Sequence, residues 1–493
     1  MAAGTGRIDM LRRQGEHALT RRQWNEAVRA FRELVRLHPS DADGWFNLGY
    51  GLRHAGKFEE ALDAYAQALR ADAADPAMIH VNRAVILSDH VGDEAGAEIA
   101  LRTALALRPE HPIALLNLGN LYEEQGRRGD AVGCYDTLLA AGDTASDASI
   151  EALGRMLHLV EPASLDDPRL ARLLGVVQRS DVNAHVRANG WFALGHAFER
   201  LNATEAALRA FSEGKRWGYS GVAPYDPSAA QAQVEALTQV FDAAVPGHTA
   251  VGLLSPEPIF IVGLFRSGSS LLEQVLGCHP DIAAAGELDL LPRLAWRQLA
   301  PFPEGARSLT AHAAREHATE YHAALRARLP QARASCRFAT DKRPDNYRLI
   351  GLIKRLFPAA RFVHTVREPR DVALSIYMQH LNPSAFPYAG TLQGIAHEIT
   401  LHERTMAHWN ALYPGDIAAF DYDAFVRAPE ATLRPLLAWL GLDWAPECLQ
   451  FQAAARSVKT ASYWQVRQPL HTSASGRWRR YRAHLPGFFD RLR

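Results

Sequence analysis

The chain has 493 residues, enough for two or more domains with complete cores. Apolar residues make up 48% and charged residues 22%, near the globular average, which excludes a disordered, collagen-like or membrane-embedded body. Lys and Arg (54) balance Asp and Glu (54), so the excess of positive charge that drives sequence-independent nucleic-acid binding is missing and any anion site must be local. Cys134, Cys278, Cys336 and Cys448 are far apart and form no CxxC or CxH pair, which argues against a zinc site and a disulfide framework and suits a reducing compartment. The N-terminal stretch carries no apolar leader core, and no run approaches the ~20 apolar residues of a spanning helix, so a cytoplasmic location is expected.

The front of the chain repeats itself. Gly15, Ala27 and Phe31 recur 34 residues later as Gly49, Ala61 and Tyr65, and Trp45, Leu48 and Ala68 complete the second unit. That is the tetratricopeptide period, in which two antiparallel helices need a large residue, a close-approach glycine and small packing residues. Pro39 closes the first unit. A third unit, with Ala97, Leu101, Ala104 and Pro109, is displaced by two residues; a fourth has Leu118, Gly119, Ala131 and Tyr135. A later unit has Trp191, Leu194, Gly195, Ala207 and Phe211, and residues 142–188 between them are helical in pattern without the signature, as a degenerate repeat or spacer. The expectation is an all-α superhelix over 1–245 whose groove binds a peptide or partner, or mediates self-association.

A Pro/Gly-rich stretch from Ala244 to Pro258 breaks the helical period and sets the start of a second domain at 246, running to 493. Its first element, Ile259–Val262, is a short β-branched run suited to a central parallel strand. Apolar runs at 361–366 and 416–420 are each followed by a polar loop and a helix, so an α/β domain with a central parallel sheet is expected. Ligands of such sheets bind beyond the carboxyl ends of the strands.

The loop Gly263–Ser270 joins a strand to a helix and offers glycine, hydroxyls and backbone N–H groups at a helix N-terminus, which favours phosphate or sulfate. An ordinary capped turn needs one hydroxyl, whereas three follow Arg266 here. The loop has the length of a Walker A loop, but Ser269 stands where that motif needs lysine, which disfavours a nucleotide triphosphatase.

The run FRSGSSLLEQVLGCHP with AGELDLL after it resembles the 5′-phosphosulfate loop of sulfotransferases that use 3′-phosphoadenosine 5′-phosphosulfate (PAPS), most of all the protein-tyrosine sulfotransferase branch and its bacterial repeat-containing relatives. VREPRDVALS resembles the family's 3′-phosphate site, YDAFV at 422–426 matches a further block, and SYWQVRQPLHTSASGRW at 462–478 resembles the segment that covers the cofactor. The resemblance spans roughly 256–482. It implies a P-loop-like sulfotransferase domain in which Arg266, Ser267, Gly268, Ser269, Ser270 and Leu271 bind the 5′-phosphosulfate. Arg367 and Ser375 would bind the 3′-phosphate, with Tyr422, Arg467 and Arg477 also at the nucleotide. It further implies Glu287 as general base, its basicity raised by partial burial, Lys342 on the bridging oxygen, and Ser462 as a transition-state serine. The family's additional arginine falls on Gln379, for which Arg467 and Arg477 are candidate substitutes.

The reading is therefore sulfuryl transfer from PAPS to an acceptor hydroxyl, with a peptide tyrosine, a carbohydrate and a small metabolite all open, the acceptor pocket lying in segments such as 300–331 and 380–394, and no metal required. Two alternatives compete: a P-loop-like kinase or phosphotransferase, which would need a phosphate-contacting lysine and a magnesium-holding acid, and a non-catalytic repeat scaffold that binds a nucleotide. Structural alternatives exist for single residues too: Arg367 could pair with Glu368 or Asp371, and the basic C-terminal segment could be a solvated helix. His397 and His402 are five apart, not four, and so do not make a zinc-protease helix face.

Overall fold

The computed structural model of the chain describes residues 2–141, 146–244, 255–453, 470 and 472–492, and these form two compact units, Met1–Val186 and Arg187–Arg493. The first is all helical, as the repeat period predicts. Its helices include Ala2–Thr20, Trp24–Leu37, Ala42–His54, Phe58–Arg70, Pro76–Ile86, Glu94–Leu107, Pro112–Gln125 and Arg128–Ala140. Several begin on a side chain that accepts from the backbone N–H three residues on, as Asp41 does from Gly44 and Asp93 from Gly96.

The 34-residue period has a physical cause in one repeated contact. In four of the pairs the glycine of the first helix lies against the aromatic ring of the second: Gly15 on Phe31, Gly49 on Tyr65, Gly119 on Tyr135 and, in the second unit, Gly195 on Phe211. A Cβ at these glycines would stand 2.4–2.8 Å from the ring, so only glycine lets the helices close. A π-helical turn at Leu87–Val91, ended by the left-handed Gly92, lies between the two helices of the third repeat, where the period slips by two residues. Residues 147–188, which lack the signature, hold helices Asp147–Leu159 and Pro168–Val177 and the start of Ala184–Arg200.

The second unit contains a five-stranded, all-parallel sheet with β1 (Glu257–Gly263), β2 (Ile282–Ala284), β3 (Phe338–Lys342), β4 (Arg361–Val366) and β5 (Ile417–Asp421) in the order β2-β3-β1-β4-β5. The apolar runs at 259–262, 361–366 and 416–420 are three of these strands; β2 and β3 were not expected. β2 is three residues long, and β3 reads Phe-Ala-Thr-Asp-Lys, polar in composition yet buried throughout. Its polar side chains find partners only through the tertiary fold.

Side chains of β1 alternate between two cores. Phe260 and Val262 join Phe362 and Trp409 on one face, while Ile259 and Ile261 join Leu272, Val363 and Leu437 on the other. Helices Thr204–Gly218 and Pro227–Val240 also belong to this unit, and Leu237, Val240 and Phe241 enter the first of those cores. Because β2 and β3 lie on one side of β1 and β4 and β5 on the other, the chain reverses its order between β1 and β4. Gly263 pairs with Thr365 at their carboxyl ends, so the loops that follow emerge side by side.

The glycine contacts predict opposite outcomes for one substitution. Gly49→Ala is expected to lower stability by about 1–3 kcal/mol through overpacking against Tyr65. Gly133→Ala, exposed in a helix with open space around it, is expected to raise stability by about 0.5–1 kcal/mol through helix propensity. Denaturant unfolding of the two variants beside wild type checks both.

Candidate active site

The loop after β1 leads into helix Ser269–Leu276, and its backbone is forced into conformations that side chains resist: φ is +151° at Gly263, +70° at Arg266 and +103° at Gly268. A Cβ on Gly263 would strike Thr365, and one on Gly268 would strike the Tyr422 ring, so both glycines are required by close approach as well as by φ. Ser267 is buried, and its hydroxyl is bonded to Leu264 O and to Thr365 Oγ1, both at 2.6 Å, tying the loop to β4. Ser269 and Ser270 start the helix and are buried with Leu271.

The loop after β4 meets this one directly. Arg266 Nε donates to Ser375 Oγ at 3.0 Å, and Arg367 donates to the Arg266 carbonyl at 3.1 Å. Arg367 also donates to Ala474 O and lies 4.6 Å over the Tyr422 ring. It does not pair with its acidic neighbours: Glu368 faces Arg370, and Asp371 accepts from the backbone N–H groups of Gly476 and Trp478. Burial pushes the Arg266 guanidinium down to about 10, with Arg367 and Arg477 adding repulsion. Three candidate cofactor arginines thus share one electrostatic site, and Arg367 Nε is buried there without a hydrogen-bond partner among the described residues.

Residues 258–446 match the Sulfotransferase family, and residues 12–76 and 92–146 match the Tetratricopeptide repeat. The chain carries a sulfotransferase-family domain together with tetratricopeptide repeats. An uncharacterized protein of Aquifex aeolicus is 27% identical over 78% of this chain and 51% of its own length. Protein-tyrosine sulfotransferase 2 of Gallus gallus is 22% identical over 46% of this chain and 64% of its own. A sulfotransferase domain from the Synechococcus PCC 7002 olefin synthase is 24% identical, covers 45% of this chain and 88% of its own, and superposes with a TM-score of 0.33. The chain spans about half the length of the first relative and under two thirds of the second.

Elsewhere in the sulfotransferase domain, Glu287 and Lys342 are brought together. Lys342 ends β3, is 1% exposed, and its ammonium bonds Glu287 Oε1. Glu287 keeps 38% of its side chain exposed, and what marks it in the fold is its pairing with the buried lysine and a clamped backbone. The residues on either side of it are held from below. Glu273 Oε1 accepts from Gly286 N at 3.0 Å and from Thr340 Oγ1 at 2.9 Å; Asp341 accepts from Leu288 N at 3.4 Å and from Tyr321 OH at 2.8 Å. Burial raises both carboxyls, Asp341 to about 7. Sequence reasoning missed this pair, although a glutamate inside the apolar run Leu271–Leu276 was a signal.

The described part of the C-terminal segment, residues 472–492, is docked through buried aromatic rings. Trp478, Tyr481 and Phe489 are buried with Phe192, Phe211, Leu374 and Met378, and Ser475 donates to Asp423 at 2.6 Å. Arg477 pairs with Glu199 of the last repeat at 2.9 Å, and Tyr481 donates to the same carboxylate. Burial opposes the Glu199 charge, but His196, Arg477 and Tyr481 outweigh it and hold the group at about 2. Lys215, from the same repeat, donates to Ile376 O and Gln379 O at the carboxyl end of the helix Pro369–Tyr377 that carries Ser375, and burial pushes its ammonium down to about 7. The Gln379 position expected to carry a further arginine is thus a backbone acceptor for a repeat lysine. Ser462 and Arg467 lie outside the described residues. His397 bonds Tyr225 and His402 bonds His364, so the two histidines serve different contacts.

Two outcomes follow. A carboxyl raised in the fold stabilises most below its unfolded range near 4, and that contribution is lost as pH rises through about 7. Asp341→Asn keeps an acceptor for Leu288 N and presents an N–H donor to the Tyr321 oxygen, with no group left to titrate, so the decline in thermal midpoint between about pH 4 and 7 is expected to be shallower than in wild type. Glu199→Gln is expected to cost about 1–3 kcal/mol at pH 7 in denaturant unfolding, by leaving Arg477 without its charge partner.

Proposed function

We propose that this protein transfers a sulfuryl group from PAPS to an acceptor hydroxyl, using a catalytic domain over 246–493 with the repeats of 1–245 serving interaction, in the cytoplasm. The observation that carries the reading is the convergence of Arg266, Arg367 and Arg477 where the β1 and β4 loops touch, with a buried Arg367 Nε that has no hydrogen-bond partner among the described residues. Such a cluster is costly unless a multiply anionic ligand neutralises it. The nearby acids Asp371 and Asp423 are engaged with backbone N–H groups and Ser475, and Glu199 is paired with Arg477, so among the described residues no carboxylate pairs with Arg367.

PAPS, when bound, supplies a sulfuryl group attached to an anionic leaving group. The residues of the chain would hold it at both ends: the backbone N–H groups at the start of helix Ser269–Leu276 with Arg266 at the phosphosulfate, and Arg367 and Ser375 at the 3′-phosphate, with Arg477 and Tyr422 closing the site. Glu287 takes the acceptor's proton as the new sulfur–oxygen bond forms and the bond to the bridging oxygen breaks. Lys342 has three donor hydrogens, so it can orient Glu287 with one and stabilise charge on the bridging oxygen with another. Ser462 and Arg467 complete the proposed site. A kinase reading is less well supported, because Ser269 occupies the position of the phosphate-binding lysine.

Calorimetric titration with 3′,5′-adenosine bisphosphate is expected to show binding that is lost in Arg367→Ala and absent for ATP with magnesium. Glu287→Ala is expected to keep the bisphosphate bound and to lose about 10²–10⁴ in turnover with any acceptor. A preference for ATP with magnesium would overturn the reading in favour of a kinase.

A further inference from the structure

Three lysines are buried among the described residues, and two of them meet a carboxylate: Lys342 bonds Glu287, and Lys354 pairs with Asp416 at 2.7 Å. Among the described residues Lys215 has no such partner, and burial alone opposes its charge. It is 3% exposed and lies in the last turn of helix Thr204–Gly218, the second helix of the last repeat. The carbonyls of Gln379 at 3.0 Å and Ile376 at 3.3 Å hold its ammonium, beside the rings of Tyr219, Phe192 and Tyr377 at 5.4–5.7 Å. Taking a charge out of water without a counter-ion is costly, so an ammonium kept in such a place calls for a reason.

The helix it caps supplies one. Ser375 stands in the last turn of Pro369–Tyr377, where the dipole is negative, which is the wrong end of a helix for an anion. A positive charge on the carbonyls of that turn offsets the dipole, and Ile376 O, which also accepts from Gln379 N at 3.2 Å, follows directly on Ser375. The same repeat fixes the chain beyond the helix. Asn189 bonds His380 Nδ1, Phe192 stacks on the His380 ring with centroids 5.2 Å apart, and Gly218 is so close that a Cβ there would stand 2.9 Å from His380 Nε2. The other titratable groups on the surrounding elements are turned to partners of their own. Arg187 lies over Trp217, Arg216 pairs with Glu213, and Glu199 holds His196, Arg477 and Tyr481. Tyr219 donates to Phe386 O, Tyr377 bonds Ser212, Arg370 donates to Phe489 O, and Asp371 accepts from Gly476 and Trp478.

We propose that Lys215 is a positioning residue for the nucleotide's 3′-phosphate, closing the end of the Ser375 helix and cancelling its dipole so that Ser375, beside Arg367, can receive a dianion there. The proposal rests on the PAPS reading of the site. It gives the last repeat a direct hold on which nucleotide is accepted. An anion beside Ser375 favours the charged form of Lys215, so binding raises its proton affinity. The contribution is therefore whole below about pH 7 and fades as pH rises above it.

The test titrates the full chain with 3′,5′-adenosine bisphosphate and with adenosine 5′-monophosphate, which lacks the 3′-phosphate. Lys215→Met removes the charge at similar length, an exchange that buried sites often tolerate; Lys215→Gln, which keeps an N–H donor, serves if the methionine variant does not fold. At pH 6 the variant is expected to bind the bisphosphate roughly 5–10-fold more weakly than wild type and the monophosphate equally well. Between pH 6 and 8.5 the gap between wild type and variant for the bisphosphate is expected to close, and this series decides alone if the monophosphate binds too weakly to measure. Equal losses for both nucleotides, no loss for either, or a gap that stays constant with pH would overturn the positioning role and leave the PAPS reading standing. Failure of wild type to bind the bisphosphate would instead overturn the reading beneath it.

Discussion

Parallel pairing of β1 with β4 is the constraint on which the candidate site depends. It sets Gly263 opposite Thr365, and the strand order reverses at that pair, so two loops that lie about a hundred residues apart in the chain leave the sheet together. Ser267 then bonds Thr365, and Arg266 reaches Ser375. The two loops hold each other in place before any ligand arrives, which is the preorganisation that anion binding and charge stabilisation require. Slipping the β1–β4 register by one residue would turn the side chains of β1 to the opposite core and part the two loops.

Around that junction the last repeat acts as part of the sulfotransferase domain. Lys215 caps the carboxyl end of the Ser375 helix, Glu199 holds Arg477, and Phe192 and Phe211 enter the core that buries Trp478 and Tyr481. The same helices thus obey the packing rule of a repeat, with Gly195 against Phe211, while their outward polar residues serve a different domain. A residue can satisfy the period and still have a second role, because the period constrains only the face that packs on its partner helix.

The β1 loop contributes to two environments: Arg266 stands with the guanidiniums of Arg367 and Arg477, whereas Gly263, Leu264 and Phe265 line a cavity with aromatic rings and carboxylates. Beneath Glu287, the buried Glu273 and Asp341 grip the amides that flank it, so the residue proposed as general base is held by its backbone and by Lys342 while its carboxylate stays accessible.

Much of this was legible in the chain. The 34-residue spacing of Gly15, Gly49 and their rings determined the repeat helices, because a ring pressed on a glycine is a local requirement repeated at a local distance. The β-branched run at 259–262 and the glycine–hydroxyl loop after it likewise marked a strand and the tight turn into a helix from neighbouring residues alone. The strand Phe338–Lys342 was not legible, since Thr340, Asp341 and Lys342 are buried only because Glu273, Tyr321 and Glu287 come to meet them from distant parts of the chain. The same holds for Glu199 and Lys215. Local pattern determines which residues form a helix, a strand or a loop; which charges share one site is decided by long-range packing, where burial makes each unmet group costly and so selects its partner.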